Sequence, residues 1–258
     1  MAATDRLRDK AIIVVGAGTG IGAATVRRLA AEGARVCIAD INIEAADAVA
    51  AELVAKGHSV FALHIDLADQ ASVETAVAAA VAKMGGLDGA HINAADLGVI
   101  HEDSDALDED IAVFDRTIAV NLRGHLLCTR AVLPHLLAND RGSIVYTSSG
   151  AAVAGEPTRP AYAAAKAGLE ALMRHVAARW GRQGISANCV APGLVITDEM
   201  LSSGRLPEGF EKMVLAGTPH QRLGETNDIA SMVAMLLSDD ATWINGQVYH
   251  VNGGTVMR

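Results

Sequence analysis

Ala11-Ile12-Ile13-Val14-Val15-Gly16-Ala17-Gly18-Thr19-Gly20-Ile21-Gly22 is the stretch whose reading decides the fold. A short, wholly apolar, β-branched run reads as a strand buried on both faces. The glycine-punctuated turn then hands the chain to an alanine-rich helix. Glycines at such a junction permit a tight turn and let backbone N–H groups approach a phosphate, which the positive end of the helix dipole favours. The spacing is Gly-x-x-x-Gly-x-Gly; the Gly-x-Gly-x-x-Gly form is met only with an alanine at its end, from Gly18 to Ala23.

Such a turn is a weak signal until a second strand follows, and here one ends in Asp40. A carboxylate at that place can accept from an adenosine ribose 2′-OH and repels a 2′-phosphate. No arginine or lysine stands at positions 17 to 21 or just after Asp40 to receive that phosphate. The expected cofactor is therefore NAD, with NADP disfavoured. The competing role for Asp40 is a cap on the helix beginning near Asn42.

Outward from this turn, β-branched runs alternate with alanine-rich helical stretches, the pattern of a parallel sheet covered on both faces. Candidate strands are Ala11–Val15, Arg35–Ala39, Val60–Ile65, Gly89–Asn93, Ser143–Thr147, Ser186–Val190 and Gln247–Val251. Helical segments lie near Gly20–Glu32, Ile43–Lys56, Gln70–Met84, Glu109–Asn139, Ala161–Arg182 and Asn227–Leu237. The expectation is an α/β, doubly wound, seven-stranded parallel sheet of the Rossmann kind, one domain over residues 1–258. Residues 198–223 break the alternation with glycine and proline beside apolar Met200, Leu201, Leu206, Phe210 and Met213. A long insertion of that kind reads as a substrate-binding lid, or else as a surface helical hairpin.

Composition excludes several classes. The formal net charge is −9 with no basic run, which argues against nucleic acid or an anionic membrane as partner. No apolar stretch is long enough to span a bilayer, and the charged start, Met1 to Lys10, lacks a signal-peptide core. Cys37, Cys128 and Cys189 are scattered, so they read as reduced, buried thiols of a cytoplasmic protein. The nine histidines show no ligand spacing, so no metal site is expected.

The reacting groups are sought in Tyr162-Ala163-Ala164-Ala165-Lys166, with Ser149 upstream. A phenol and an ammonium four residues apart share one helix face. A free phenol titrates near ~10, and a neighbouring cation favours the phenolate. Isolated Tyr-x-x-x-Lys pairs are common on helix surfaces; the company this one keeps gives it meaning.

With the glycine turn, Asp40, Ser149, Tyr162 and Lys166 in that order, the chain resembles the short-chain dehydrogenases/reductases over nearly its whole length. Further matches are Asp66, Asn93-Ala94-Ala95, Asn121 within Val120-Asn121-Leu122-Arg123-Gly124, Pro192-Gly193-Leu194-Val195-Ile196-Thr197, Ile244-Asn245-Gly246-Gln247 and Val251-Asn252-Gly253-Gly254. The resemblance implies reversible hydride transfer between NAD(H) and a secondary alcohol/ketone pair, with Asn121, Ser149, Tyr162 and Lys166 as the catalytic set. It implies a cofactor site of Gly16, Gly18, Thr19, Gly20, Ile21, Gly22, Asp40, Ile41, Asp66, Leu67, Asn93, Ala94, Ala95, Tyr162, Lys166, Pro192, Gly193, Val195 and Thr197. Ser149, Ala151, Val153, Tyr162 and Met200 would bind substrate. Val15, Ile92 and Ala95 depart from the family pattern and should tune cofactor affinity.

Apolar residues after Ser149 and around Leu97, Val99 and Ile100 suit a hydrophobic alicyclic, steroid-like or arylalkyl substrate. A sugar-like polyol and a 3-oxoacyl thioester remain alternatives, and a dinucleotide-binding redox sensor is the non-enzymatic one. Glu156, Arg159, His101 and Glu102 lie close enough in sequence to give polar recognition. The stripe Ile111, Phe114, Ile118, Leu122 and Leu126, with the small-residue helix after Tyr162, fits the homotetramer that the resemblance implies.

Overall fold

The computed structural model of the chain describes residues 5–197, 200 and 209–257. Seven strands form one sheet: β1 (Ala11–Val15), β2 (Arg35–Asp40), β3 (Val60–His64), β4 (Gly89–Ile92), β5 (Gly142–Thr147), β6 (Ile185–Pro192) and β9 (Val248–Val251). Their order is β3-β2-β1-β4-β5-β6-β9 and every neighbouring pair is parallel. The expected doubly wound architecture is what the chain adopts.

Helices α1 (Gly20–Ala31) and α2 (Ile43–Ala55) cover one face with α8 (Thr226–Leu237). The other face carries α3 (Gln70–Met84), α5 (Gly124–Leu137) and α6 (Pro160–Trp180). Two apolar clusters therefore sandwich the sheet, and residues alternate between them along each strand: Ile13 and Val15 pack to one side, Ile12 and Val14 to the other. Burial on both faces is why the β1 run reads as continuous hydrophobic sequence.

Two boundaries differ from expectation for stated causes. The predicted helix Glu109–Asn139 begins only at Ile111, because Asp110 caps α4 (Ile111–Ile118) by accepting from Ala112 N at 2.8 Å. It then widens into one π turn at Ala119–Arg123 before α5 continues. Such π turns insert one residue into the helical ladder and re-aim a side chain; this one contains Asn121. Downstream, Val195–Ile196 (β7) pairs with Gly224–Glu225 (β8), and Phe210–Ala216 forms α7 between them. Of the proposed 198–223 segment, residues 198, 199 and 201–208 lie outside the described residues.

The register sets the position of the site. Val15 stands opposite Ala39 on one side and Ile92 on the other, so β1, β2 and β4 end at one level. The chain leaves β1 for β2 and β3, then crosses back to β4, and crevices open at the carboxyl ends of strands where the order reverses in this way.

Candidate active site

The crevice is a cleft of about 1020 Å³ running across those strand ends. Its nucleotide end is the turn after β1. Gly16 has φ +76, and a Cβ there would lie 2.5 Å from Ala94 Cα. A Cβ on Gly22 would meet Gly16 O at 1.9 Å, so glycine is required for α1 to start this close to the strand. Thr19 precedes α1 with no side-chain cap, which leaves the first-turn N–H groups of Gly20 and Ile21 for the cleft they line. Uncapped amides at the positive end of a helix dipole, beside glycines that admit a close approach, fit a pyrophosphate.

Asp40 lines the same end. Its Oδ2 accepts from Gly18 N at 2.7 Å and its Oδ1 from Asn42 N at 2.9 Å. The helix cap is Asn42 itself, which accepts from Ala45 N, so Asp40 does not cap α2. Each carboxylate oxygen retains a lone pair, enough to accept from a hydroxyl. Beneath the turn, Asn93 Nδ2 donates to Gly16 O at 2.8 Å, and Thr147 Oγ1 donates to Asn93 Oδ1 at 2.9 Å. Because that hydroxyl proton is committed, His91 Nε2 must be the donor to Thr147, which fixes the His91 tautomer. Burial holds His91 neutral, lowering its pKa to about 3.

At the other end the expected reacting groups converge: Ser149, Tyr162 and Lys166 all line the cleft. Lys166 is buried, with Nζ 5.6 Å from the Tyr162 ring centroid, and donates to Thr147 O at 2.8 Å. That bond uses one of three ammonium donors, leaving the others for the cleft. Ser149 lies near enough to the Tyr162 phenol to favour its ionised form, and accepts from Ala151 N at 3.2 Å. Burial pushes the Tyr162 pKa up, opposed by Ser149 and by the Arg159 charge. Burial likewise brings Lys166 down to about 8. Sequence spacing gave the neighbours but not the desolvation.

Of the remaining expected residues, Thr19, Ile41, Asp66, Leu67, Asn93, Ala94 and Ala95 line the cleft, as do Pro192, Gly193, Val195, Thr197 and Met200. Gly18, Gly22, Asn121, Ala151 and Val153 are not in its lining. Asn121 is buried in the π turn, where Oδ1 accepts from Asp96 N at 2.8 Å and Nδ2 has no partner among the described residues.

Residues with no sequence signal complete the site. Asp103, 4% exposed, reaches across from the loop before α4 and caps α6. It accepts from Ala161 N at 3.2 Å and from the backbone N of Tyr162 at 2.8 Å. This distant carboxylate replaces the missing local cap, since Arg159 contributes none and Pro160 occupies the first helical turn. Arg116 donates to Asp96 at 2.7 Å, and both line the cleft.

A family profile described as Enoyl-(Acyl carrier protein) reductase matches residues 16–256. Levodione reductase of Leifsonia aquatica is 35% identical, over 97% of this chain and 96% of its own length. Cis-4-hydroxycyclohexanecarboxylate dehydrogenase of Sinomonas cyclohexanicum is 36% identical, over 95% and 96%. Among solved structures, a 7α-hydroxysteroid dehydrogenase complexed with NADH and 7-oxo glycochenodeoxycholic acid superposes with a TM-score of 0.90 at 32% identity, covering 100% of this chain and 98% of that one. The cleft geometry and these likenesses lead to one assignment: the chain belongs to the short-chain dehydrogenase/reductase family of nicotinamide-dinucleotide-dependent oxidoreductases.

Proposed function

We propose that the protein interconverts a hydrophobic secondary alcohol and its ketone with NAD(H). The observation that carries this reading is the convergence of Ser149, Tyr162 and Lys166 on the cleft that also holds the uncapped start of α1 and Asp40. Relatives named for alicyclic alcohols and diketones favour an alicyclic substrate, and Leu97, Ile100 and Phe210 offer it apolar walls.

In the oxidation direction Tyr162 takes the hydroxyl proton at its phenolate oxygen, while Ser149 donates to the substrate oxygen and holds it in place. Lys166 directs its remaining donors to the nicotinamide ribose and, with Tyr162 and a water held near Asn121, passes the proton onward. A bound oxidised nicotinamide would supply the hydride acceptor and a positive charge that favours the phenolate. Asp40 accepts from the adenosine ribose and selects NAD over NADP. Met200 and α7 are assigned to the substrate-binding lid of the single domain, with Ala151 and Val153 behind Ser149.

We further assign a homotetramer, supported by the exposure of Ile111 (68%) and Leu126 (42%) on the α4–α5 stripe. Light scattering should give about four times the 26.7 kDa chain mass. A cytoplasmic location fits three buried, unpaired cysteines; among the described residues no helix is long and apolar enough to cross a membrane.

The test is reduction of NAD and of NADP with cyclohexanol, a hydroxysteroid, an arylalkyl alcohol and a polyol. Turnover with NAD on the hydrophobic alcohols is expected. Silence on all four with NADH still bound would favour a redox sensor, and turnover only with NADP would overturn the role of Asp40.

A further inference from the structure

We propose that Arg159 is the specificity residue of the cleft and that it reads a carboxylate carried on the far side of the substrate from its reacting carbon. This deepens, and rests on, the reading of Tyr162 as the base for an alcohol. The preferred substrates are then alicyclic or aryl hydroxy acids and the matching oxo acids, not neutral alcohols.

Placement is the first support. Arg159 and Tyr162 both line the cleft, three residues apart across the start of α6. Arg159 sits at φ 66, ψ 49, a left-handed conformation that costs a non-glycine residue energy. The surroundings enforce it: Arg159 N donates to Ser104 O at 2.8 Å, Pro160 follows directly, and Asp103 anchors the next two amides. Strain in a long cationic residue beside the reacting phenol is a reason to look for function there.

Donor geometry is the second. A guanidinium offers five N–H donors in a planar fork. Glu156 takes one of them, at Nη2, and Nε and Nη1 have no partner among the described residues. Glu156 does not line the cleft, whereas Arg159 does. One edge of the guanidinium is thus braced from behind, and donors remain for a planar carboxylate, which the fork matches in bidentate fashion.

Charge is the third. The Arg159 charge reaches the Tyr162 phenol and lowers its pKa, so the guanidinium lies within electrostatic range of the reacting oxygen. Among the described residues Arg116 also lines the cleft, but it is bonded to Asp96, a carboxylate in the same lining. Leu97, Ile100, Leu194, Met200 and Phe210 supply apolar surface for the body of the ligand.

The experiment is calorimetric binding of cyclohexanecarboxylate and of cyclohexanecarboxamide to the NADH-loaded protein, for wild type, Arg159→Gln and Arg159→Lys. These ligands carry no hydroxyl, so binding is read without turnover, and the NADH affinity of each variant reports an intact fold. The acid is expected to bind at least about tenfold more tightly than the amide in wild type. Arg159→Gln should abolish that preference and Arg159→Lys should retain part of it. An acid that binds no better than the amide in wild type, or a preference that survives in Arg159→Gln, would overturn the proposal. Turnover of a hydroxycyclohexanecarboxylate on the same samples reports the alcohol-oxidising reading separately. Acid-selective binding without any turnover would sink that reading and keep Arg159 as an anion site; turnover without acid preference would do the reverse.

Discussion

At the nucleotide end of the cleft the wall is largely backbone: Gly16, the start of α1 and the strand ends of β1 and β2, tied down by Asn93, Thr147 and a neutral His91. At the substrate end it is side chain, brought from the loop around residues 96–104, from residues 149–160 and from the segment after β6. The first needs particular local residues, such as a glycine where a Cβ would strike Gly16 O, and so leaves a mark in the sequence. The second needs only that distant loops meet, which leaves little. A wall built from local backbone at one end and from distant loops at the other is an arrangement in which chains of one fold can keep a cofactor while differing in substrate.

Lys166→Met should give the largest effect, because Lys166 joins the two ends. Turnover is expected to fall by about 10³-fold, while stability at neutral pH is held or raised, since burial already disfavours the ammonium. Steady-state kinetics beside denaturant unfolding checks this; a loss of stability equal to the loss of activity would make Lys166 structural.

Acid should attack the nucleotide end. His91 and His125 are both held by burial near pKa 3, well under the ordinary 6.5. Below about pH 6.5 the unfolded chain binds protons that the folded state refuses. Their stabilising contribution is therefore full above pH 6.5 and is lost on going from there toward pH 3, at about 1.4 kcal/mol per pH unit for each ring. Denaturant midpoints from pH 7.5 to 5 test it, and His91→Gln should flatten the slope.

Asp40→Ala sharpens the comparison from the cofactor side. Losing a charged acceptor should weaken NAD by about 10–100-fold and relieve the repulsion of NADP, with KM for the alcohol little changed. Competition binding of the two dinucleotides reads it.

The smallest effect belongs to Asp103→Ala, which removes the cap from α6. About 1 kcal/mol of stability should go, and kcat should fall several-fold because Tyr162 N loses its anchor, while NADH affinity stays. An unchanged kcat would show that the helix holds the phenol without it.

The legibility of each part follows the range of its contacts. Tyr162 and Lys166 announce themselves because one helical turn separates them, and Asp40 because it ends the strand after a glycine turn. Asp103 does not, since its contact with Tyr162 spans 59 residues and no local pattern marks a loop carboxylate as a cap. The π turn around Asn121 was equally hidden: apolar spacing across Glu109–Asn139 reads as one unbroken helix. The pKa directions were legible only in part, because desolvation depends on what covers a group, and Lys166 is covered by elements far from it in sequence.

The central claim is that Tyr162 is the base of an NAD-linked alcohol oxidation. The most direct measurement is NADH formation by wild type and Tyr162→Phe with one turned-over alcohol, alongside NADH binding by both. Removing one hydroxyl from a phenol that packs unchanged should stop turnover and leave NADH affinity intact. Comparable turnover in Tyr162→Phe would contradict the account.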